Sequence, residues 1–369
     1  MGRDVGSDGF DVVIIGAGVV GAAIAVALSG SARSVLVLER SPKEGSGITS
    51  RNSGVVHSGL YYPPGSLKAE TCLRGQALLY DWCQREGVAH RRTGKLIVAR
   101  RPDALGDLEA LAKNATTAGA TGIRLIDGRA IAALEPSMPP SAGALLCPKT
   151  GIVDPHGLTR SLRAAAERRG VTFAMGTTIT GLRAEEAGFS VESGAERLLA
   201  GVVINSAGLE ADRLAALLGV RGLTVHPCRG DYFRLSGARG RYQRLIYPIR
   251  QRGAAGLGVH LTLELDGGVR LGPDAEYVDS RDDFSPAPEK HGAFLRAAEE
   301  LLGPVDPERL RYDGCGIRPK LRPPSESQER DFVIHEEPTG CLHLLGIESP
   351  GLTAALALAE RVALRIGAG

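Results

Sequence analysis

The 369-residue sequence predicts a mixed α/β protein, α+β overall, in which a parallel-sheet domain built from separated segments carries an inserted, mainly antiparallel sheet. Three observations predict it. A strand, a glycine-rich turn, a small-residue helix and a second strand open the chain. The middle does not continue as plain strand–helix repeats, and several of its segments alternate apolar and polar residues with the period of two of a half-covered sheet. The last 60 residues return to a buried strand, a turn and a small-residue helix. At roughly 150 residues per domain the length suits two or three domains with an ample core.

The run 11–15 (DVVII) is continuous, apolar and β-branched, which marks a buried strand. Residues 16–21 (GAGVVG) supply a turn, 22–28 a helix, and 35–38 a second strand ending at Glu39. Further on, 94–100 (GKLIVAR) reads as a strand and 104–118 as a helix. Residues 154–169 read as a helix with Asp154 at the N-cap and Pro155 at its first position. Strands follow at 171–174 and 202–205. Segments 225–235 and 256–272 alternate like an antiparallel sheet, with Asp266, Gly267 and Gly268 turning between 261–265 and 269–271. Residues 280–288 are the most loop-like stretch. Strand 342–345, turn 346–351 and helix 352–364 complete the chain.

Composition narrows the function. The 44 Lys and Arg against 42 Asp and Glu leave a net charge of +2, so nothing points to nucleic acid or an acidic membrane surface. The six cysteines form no CxxC pair and no metal-ligand spacing, so no metal is expected and reduced thiols in the cytoplasm are. The uncharged run 12–32 has the hydropathy of a signal peptide or a span. Asp4, Asp8 and Asp11 nevertheless outnumber Arg3 ahead of it, and Gly16, Gly18 and Gly21 interrupt it, so it reads as a βαβ unit and no transmembrane span is expected. For residues 352–366, packing against the nucleotide domain is favoured over a peripheral membrane contact. The 49 glycines with only 4% aromatics suggest tight turns and close backbone approaches, as in a protein wrapped around a large cofactor.

The GxGxxG of residues 16–21 follows a strand, opens a helix and precedes Glu39 at the end of the next strand, which makes it a Rossmann-like dinucleotide fingerprint. Gly16 makes the turn, Gly18 admits a pyrophosphate, Gly21 lets helix and strand approach, and the helix N-terminus offers N–H donors. Glu39 suits a ribose hydroxyl. The stretch 39–62 is then crowded with hydroxyl, amide and glycine residues able to line a long dinucleotide.

Together with GxGxxG, the motifs TSRNSGVVHSGLYY (49–62), TGIVDP (150–155), NSAG (205–208), RGDYFRL (229–235), IYP (246–248) and LGVHLT (257–262) carry a family likeness. They resemble the L-2-hydroxyglutarate dehydrogenase/oxidase group of the FAD-dependent D-amino-acid-oxidase-like superfamily, over about residues 10–365. The resemblance implies FAD, held in a Rossmann-like FAD-binding domain at 1–92, 150–220 and 305–369, with a substrate-binding domain at 93–149 and 221–304. It puts the adenosine end near Gly16, Gly18, Val19, Val20, Glu39 and Arg40. Thr49, Ser50, Asn52, Ser53 and Gly54 match the segment beside the pyrophosphate and ring. Thr178 and Ile179 match an adenine contact, and Ala207 and Gly208 follow the strand beside it. Gly316 and Ile317 are also expected to bind the cofactor, and Gly346, Ser349, Gly351, Leu352 and Thr353 to lie at the ring's pyrimidine end. Cys315 precedes Gly-Ile-Arg-Pro rather than the pattern of covalently flavinylated relatives, so non-covalent FAD is favoured.

The implied chemistry is oxidation of an L-2-hydroxy acid, L-2-hydroxyglutarate to 2-oxoglutarate, by hydride transfer from Cα to flavin N5 with a histidine base. Oxygen or a quinone-type acceptor would reoxidise the flavin. Imidazole is the natural base near neutral pH. Of eight histidines, His57 and His260 fall inside the resembling motifs, and either is the base with the other orienting the hydroxyl. Arg318, in a GxRP element, is the carboxylate clamp, with Arg51 as a second choice. Tyr61, Tyr62 and Tyr247 are hydroxyl donors to a small carboxylate substrate. A dicarboxylate needs a second cationic or multi-donor subsite, which the sequence does not locate. The alternatives are an amine oxidase of glycine, sarcosine or a D-amino acid, and a flavin-binding protein without catalysis.

Overall fold

The computed structural model describes residues 9–30, 33–249 and 258–367. Asp4, Asp8 and Arg3, together with Gly256 and Leu257 at the head of a predicted sheet segment, lie outside the described residues.

One sheet has eight strands among the described residues, five of them parallel in the order Cys341–Leu345, Glu196–Asn205, Gly9–Ile15, Val35–Glu39 and Thr172–Met175. These strands are apolar on both faces because both are covered. Helices Val19–Leu28, Leu67–Glu86, Pro155–Glu167 and Gly351–Arg365 pack one face. A hairpin, Gly181–Glu185 with Gly188–Ser193, extends the sheet and helps close the other face with Leu214. Gly9–Ile15 sits where the strand order reverses, so the carboxyl ends of it and its neighbours leave a crevice that suits a ligand.

A nine-stranded sheet stands beside it. Its order is Glu276–Tyr277, His226–Leu235, Val269–Leu271, Leu261–Leu263, Leu245–Pro248, Lys95–Ala99, Gly143–Cys147 and Arg124–Asp127. All its pairings are antiparallel except that of Leu245–Pro248 with Lys95–Ala99. Leu310–Lys320, expected with the first domain, instead pairs along its length with His226–Leu235. Its alternation is masked in sequence by Gly314 and Gly316, which have no side chain to show a face.

Helix Leu67–Glu86 was not anticipated, although Ser66 Oγ accepts the Ala69 N–H at its start and Gly87 ends it in the left-handed region at φ 68°. Lys68, Thr71 and Gln76 are buried on it, and these polar side chains on the inner face blur the apolar period.

Candidate active site

The parallel strands, the nine-stranded sheet and the start of the last helix enclose one elongated cavity of about 1110 Å³, above the 300–1,000 Å³ typical of drug-sized ligands. One end is built by the glycine-rich turn. Gly16 has φ 102°, and a Cβ there would lie 2.8 Å from the Ser206 carbonyl oxygen, so only glycine makes this turn. A Cβ on Gly21 would collide with the Gly16 carbonyl oxygen, which explains the third glycine as a close approach between helix and turn. Gly18 caps helix Val19–Leu28 without a side chain, and Thr49 Oγ1 takes the Val19 N–H at 3.1 Å. Glu39 accepts the Ala17 N–H at 2.8 Å and the Ser41 N–H at 2.9 Å, which aims its carboxylate into the cavity with lone pairs to spare for a hydroxylated sugar. Arg40, Thr178, Ile179, Ala207 and Gly208 line the same end.

The other end lies against the nine-stranded sheet. A second uncapped helix start, at Gly351 and Leu352, faces it together with Ser349. Asn52, Ser53, Gly316 and Ile317 form the wall between; Asn52 is spent on its own turn, with Nδ2 donating to Thr49 O and Oδ1 accepting the Gly54 N–H. Two glycine-initiated turns, a carboxylate and two helix N-termini along one cavity fit a dinucleotide with an appended ring system.

Four residues expected at the cofactor do not line the cavity. The Ser50 hydroxyl bonds the Ser46 and Gly47 carbonyls. Gly54 (φ 65°) packs on the Val153 carbonyl, and Gly346 (φ 69°) on the Leu321 side chain. Thr353 is buried and serves His57 instead, its Oγ1 accepting the His57 N–H at 3.0 Å and donating to Val55 O at 3.3 Å. A local turn engages Ser50, and packing against distant segments engages the other three.

The ring end gathers the residues singled out for chemistry. His57 follows the short strand Val55–Val56; its carbonyl accepts from Gln76 Nε2 at 2.7 Å, and its Nε2 lies 3.3 Å from Ser349 Oγ. His260 precedes Leu261–Leu263, stacks on Tyr247, and holds the Gly258 carbonyl at 2.9 Å through Nδ1, which leaves Nε2 as an acceptor. Burial first, then Lys95 and His260, hold His57 well below its usual range. Burial, with Lys95 and Arg318, pushes His260 down to about 3. Both imidazoles are neutral at physiological pH.

Arg318 reaches the cavity from Leu310–Lys320. Nη2 donates to Asp274 O at 3.0 Å and Nη1 to Arg229 O at 3.4 Å; among the described residues no carboxylate lies within ion-pair distance of it. Asp231, wholly buried, anchors those carbonyls: Arg229 and Lys290 pair with it at 2.7 and 2.6 Å, and its N–H donates to Asp274 Oδ1 at 2.7 Å. The Tyr62 hydroxyl bonds Ser349, and Tyr247 forms part of the wall. Arg51, the second choice, also lines the cavity, with its guanidinium over the Phe284 ring, 3.7 Å from the centroid, at the exposed edge.

Sequence reasoning missed Tyr232, whose hydroxyl bonds Ser53 beside Arg318, and Lys95, a lysine with no exposed surface. The signal for Lys95 was a single charge inside an otherwise apolar strand. It also missed Glu348, buried between Lys68 (3.2 Å) and Lys320 (3.1 Å) at the cavity wall.

The family model for FAD dependent oxidoreductases, DAO, matches residues 11–365. The chain belongs to this family of FAD-dependent oxidoreductases. Its cofactor is therefore FAD. This flavoenzyme is 38% identical to the mitochondrial L-2-hydroxyglutarate dehydrogenase of Arabidopsis thaliana, over 96% of this chain and 82% of that protein. It is 30% identical to that of Pongo abelii, over 98% and 88%. Its fold matches FAD-bound L-α-glycerophosphate oxidase from Mycoplasma pneumoniae with a TM-score of 0.88 at 23% identity, covering 97% and 95% of the two chains.

Proposed function

We propose that this flavoenzyme oxidises L-2-hydroxyglutarate to 2-oxoglutarate. The observation that carries the reading is Arg318: a guanidinium in the cavity wall, held by two backbone carbonyls and the Cys228 thiol and by no carboxylate among the described residues, in a cavity that His57 and His260 also line. Such a cation is suited to a carboxylate, and the adjoining imidazoles to a carbinol. FAD, when bound, supplies the two-electron acceptor.

The chain's own residues then divide the work. Arg318 holds the carboxylate next to the reacting carbon and fixes its plane. One imidazole takes the hydroxyl proton and the other orients the hydroxyl; burial and Lys95 oppose an imidazolium at both, so nearby charge does not choose between them. His260 Nε2, fixed as an acceptor by its Nδ1 contact, is suited to take the proton, which leaves His57 to orient the hydroxyl by donating a ring N–H to its oxygen. Thr353 and Gln76 hold the His57 backbone, and Ser349 bridges towards Tyr62.

The domain division, FAD segments at 1–92, 150–220 and 305–369 and substrate segments at 93–149 and 221–304, is part of this proposal, with Leu310–Lys320 shared between them. Flavin attachment is proposed to be non-covalent: Cys315 is buried and alternates with Gly316 on its strand, and it is Gly316 that lines the cavity. Acid precipitation should leave the yellow colour in the supernatant. No described helix is long and apolar enough to cross a membrane. A reducing compartment, the cytoplasm, suits six buried free thiols. Oxygen or a quinone-type acceptor is proposed for reoxidation, with any membrane contact peripheral.

Anaerobic addition of L-2-hydroxyglutarate should bleach the flavin, and glycine, sarcosine and D-alanine should not. Bleaching by an amine substrate alone would move the assignment to the amine oxidases; bleaching by none of them would leave a binding protein.

A further inference from the structure

Lys95 stands at the ring end, and the reaction above gives it no contact with the substrate. It opens strand Lys95–Ala99, with Cys147 directly across from it and Tyr247 opposite Ile97 on the neighbouring strand. The period of two puts Lys95, Cys147 and Tyr247 on one face. Lys95 has no exposed surface, and its Nζ has no hydrogen-bond partner. It lies over the Tyr247 ring at 4.5 Å and the Tyr61 ring at 5.4 Å from the centroids. The nearest acidic groups are the thiols of Cys72 and Cys147, which burial pushes up to about 12 and about 11, so neither supplies a negative charge. Glu348 is engaged by Lys68 and Lys320.

An ammonium taken out of water without a counter-ion is costly, and two ring faces return only part of that cost. An apolar residue would fill the same space without it. The Tyr247 hydroxyl, in the wall that separates Lys95 from the cavity, is likewise buried without a partner. The ring end therefore holds two basic groups that no carboxylate among the described residues pairs with, Arg318, which feels Glu348 only through space, and Lys95, which burial lowers from the ordinary lysine range; His260 is near both and His57 is near Lys95. A dianion with a carbinol between its carboxylates matches that arrangement, and a monoanion does not.

We propose that Lys95, acting through Tyr247, is the specificity-determining positioning residue for the second carboxylate of a 2-hydroxy dicarboxylate. The first carboxylate is held by Arg318, so the inference rests on the reaction proposed above. Nζ has no open surface, so the second carboxylate meets the tyrosine wall and is selected by the charge behind it. A monocarboxylate of the same length leaves that charge uncompensated.

The test is equilibrium binding of two unreactive five-carbon acids, glutarate and pentanoate, to the holoenzyme, followed by the flavin absorption spectrum. The wild type is expected to prefer glutarate by at least about tenfold, and Lys95→Met to reduce that preference to within about twofold while keeping its flavin and melting temperature. Lys95→Gln, which keeps a polar side chain of similar length and removes only the charge, should lower the preference in the same direction. It decides the matter if Lys95→Met does not fold. Absence of a preference in the wild type, its survival in the variants, or an equal loss of affinity for both acids overturns the proposal. If the preference collapses as expected while L-2-hydroxyglutarate does not bleach the wild type, the subsite stands and the proposed reaction falls. Bleaching together with an unchanged preference has the opposite meaning.

Discussion

Tyr247 and His260 stack ring on ring across neighbouring strands, with centroids 3.8 Å apart and planes 26° from parallel. The pairing Ile246↔Leu261 places them opposite one another at the next antiparallel position. The stack and the bond from Nδ1 to Gly258 leave the imidazole one orientation, with Nε2 as acceptor. Tyr247→Leu removes the stack and should cost about 0.5–1.5 kcal/mol of orientation, read as an about twofold to twelvefold fall in kcat with FAD content unchanged. An unaltered kcat would mean that the ring needs no such support.

The depressed pKa of His260 has a definite sign in the stability of the fold. The unfolded imidazole takes a proton near pH 6.5, whereas the folded one does so only at about 3. Its contribution is thus fully present above pH 6.5 and is lost as pH falls from there towards 3. The wild type should lose about 1.4 kcal/mol per pH unit from this one group below about pH 6, and His260→Gln should show a slope shallower by that amount. Urea unfolding at several pH values measures it; equal slopes for the two proteins count against a neutral, buried imidazole.

For Arg318 the expectation concerns affinity. Arg318→Met removes the only charge proposed for the reacting carboxylate and should weaken binding of substrate and of unreactive acids by about 2–5 kcal/mol, at least thirtyfold. FAD should stay bound, because the guanidinium is tied to Asp274 and Arg229 rather than to the nucleotide end. Calorimetric titration with glutarate distinguishes this from a general loss of fold.

At the other end of the cavity, Glu39 both holds the turn and faces the sugar. Glu39→Ala leaves the Ala17 and Ser41 N–H groups without their acceptor, a cost of about 1–3 kcal/mol, in addition to any lost ribose contact. The variant should emerge from gel filtration largely colourless and regain its absorbance when FAD is added in excess. Full retention of flavin would show that the carboxylate is dispensable.

The nucleotide end was legible in the chain because its chemistry is local. Gly16, Gly18, Gly21 and Glu39 lie within one βαβ unit, and each answers a constraint of backbone geometry set by near neighbours. The same locality misled at Ser50, Gly54, Gly346 and Thr353: they belong to the right motifs, yet turns and packing use their polar groups or their missing side chains. Helix Leu67–Glu86 escaped notice because its inner face carries Lys68 and Gln76, whose partners come from elsewhere in the chain, and Thr71, which bonds the Leu67 carbonyl one turn back.

By itself the sequence determined the strand–turn–helix units, the cofactor class through its resemblance, and the pair of histidines and the arginine worth testing. Only the tertiary structure decided that no carboxylate among the described residues pairs with Arg318, that Arg51 lies on Phe284, and that the Lys95 ammonium lies against Tyr247 without a hydrogen-bond partner. Whether a charge is paired depends on residues brought close by register between distant strands, Lys95 with Cys147 and Arg318 with Cys228, and no local spacing encodes that register.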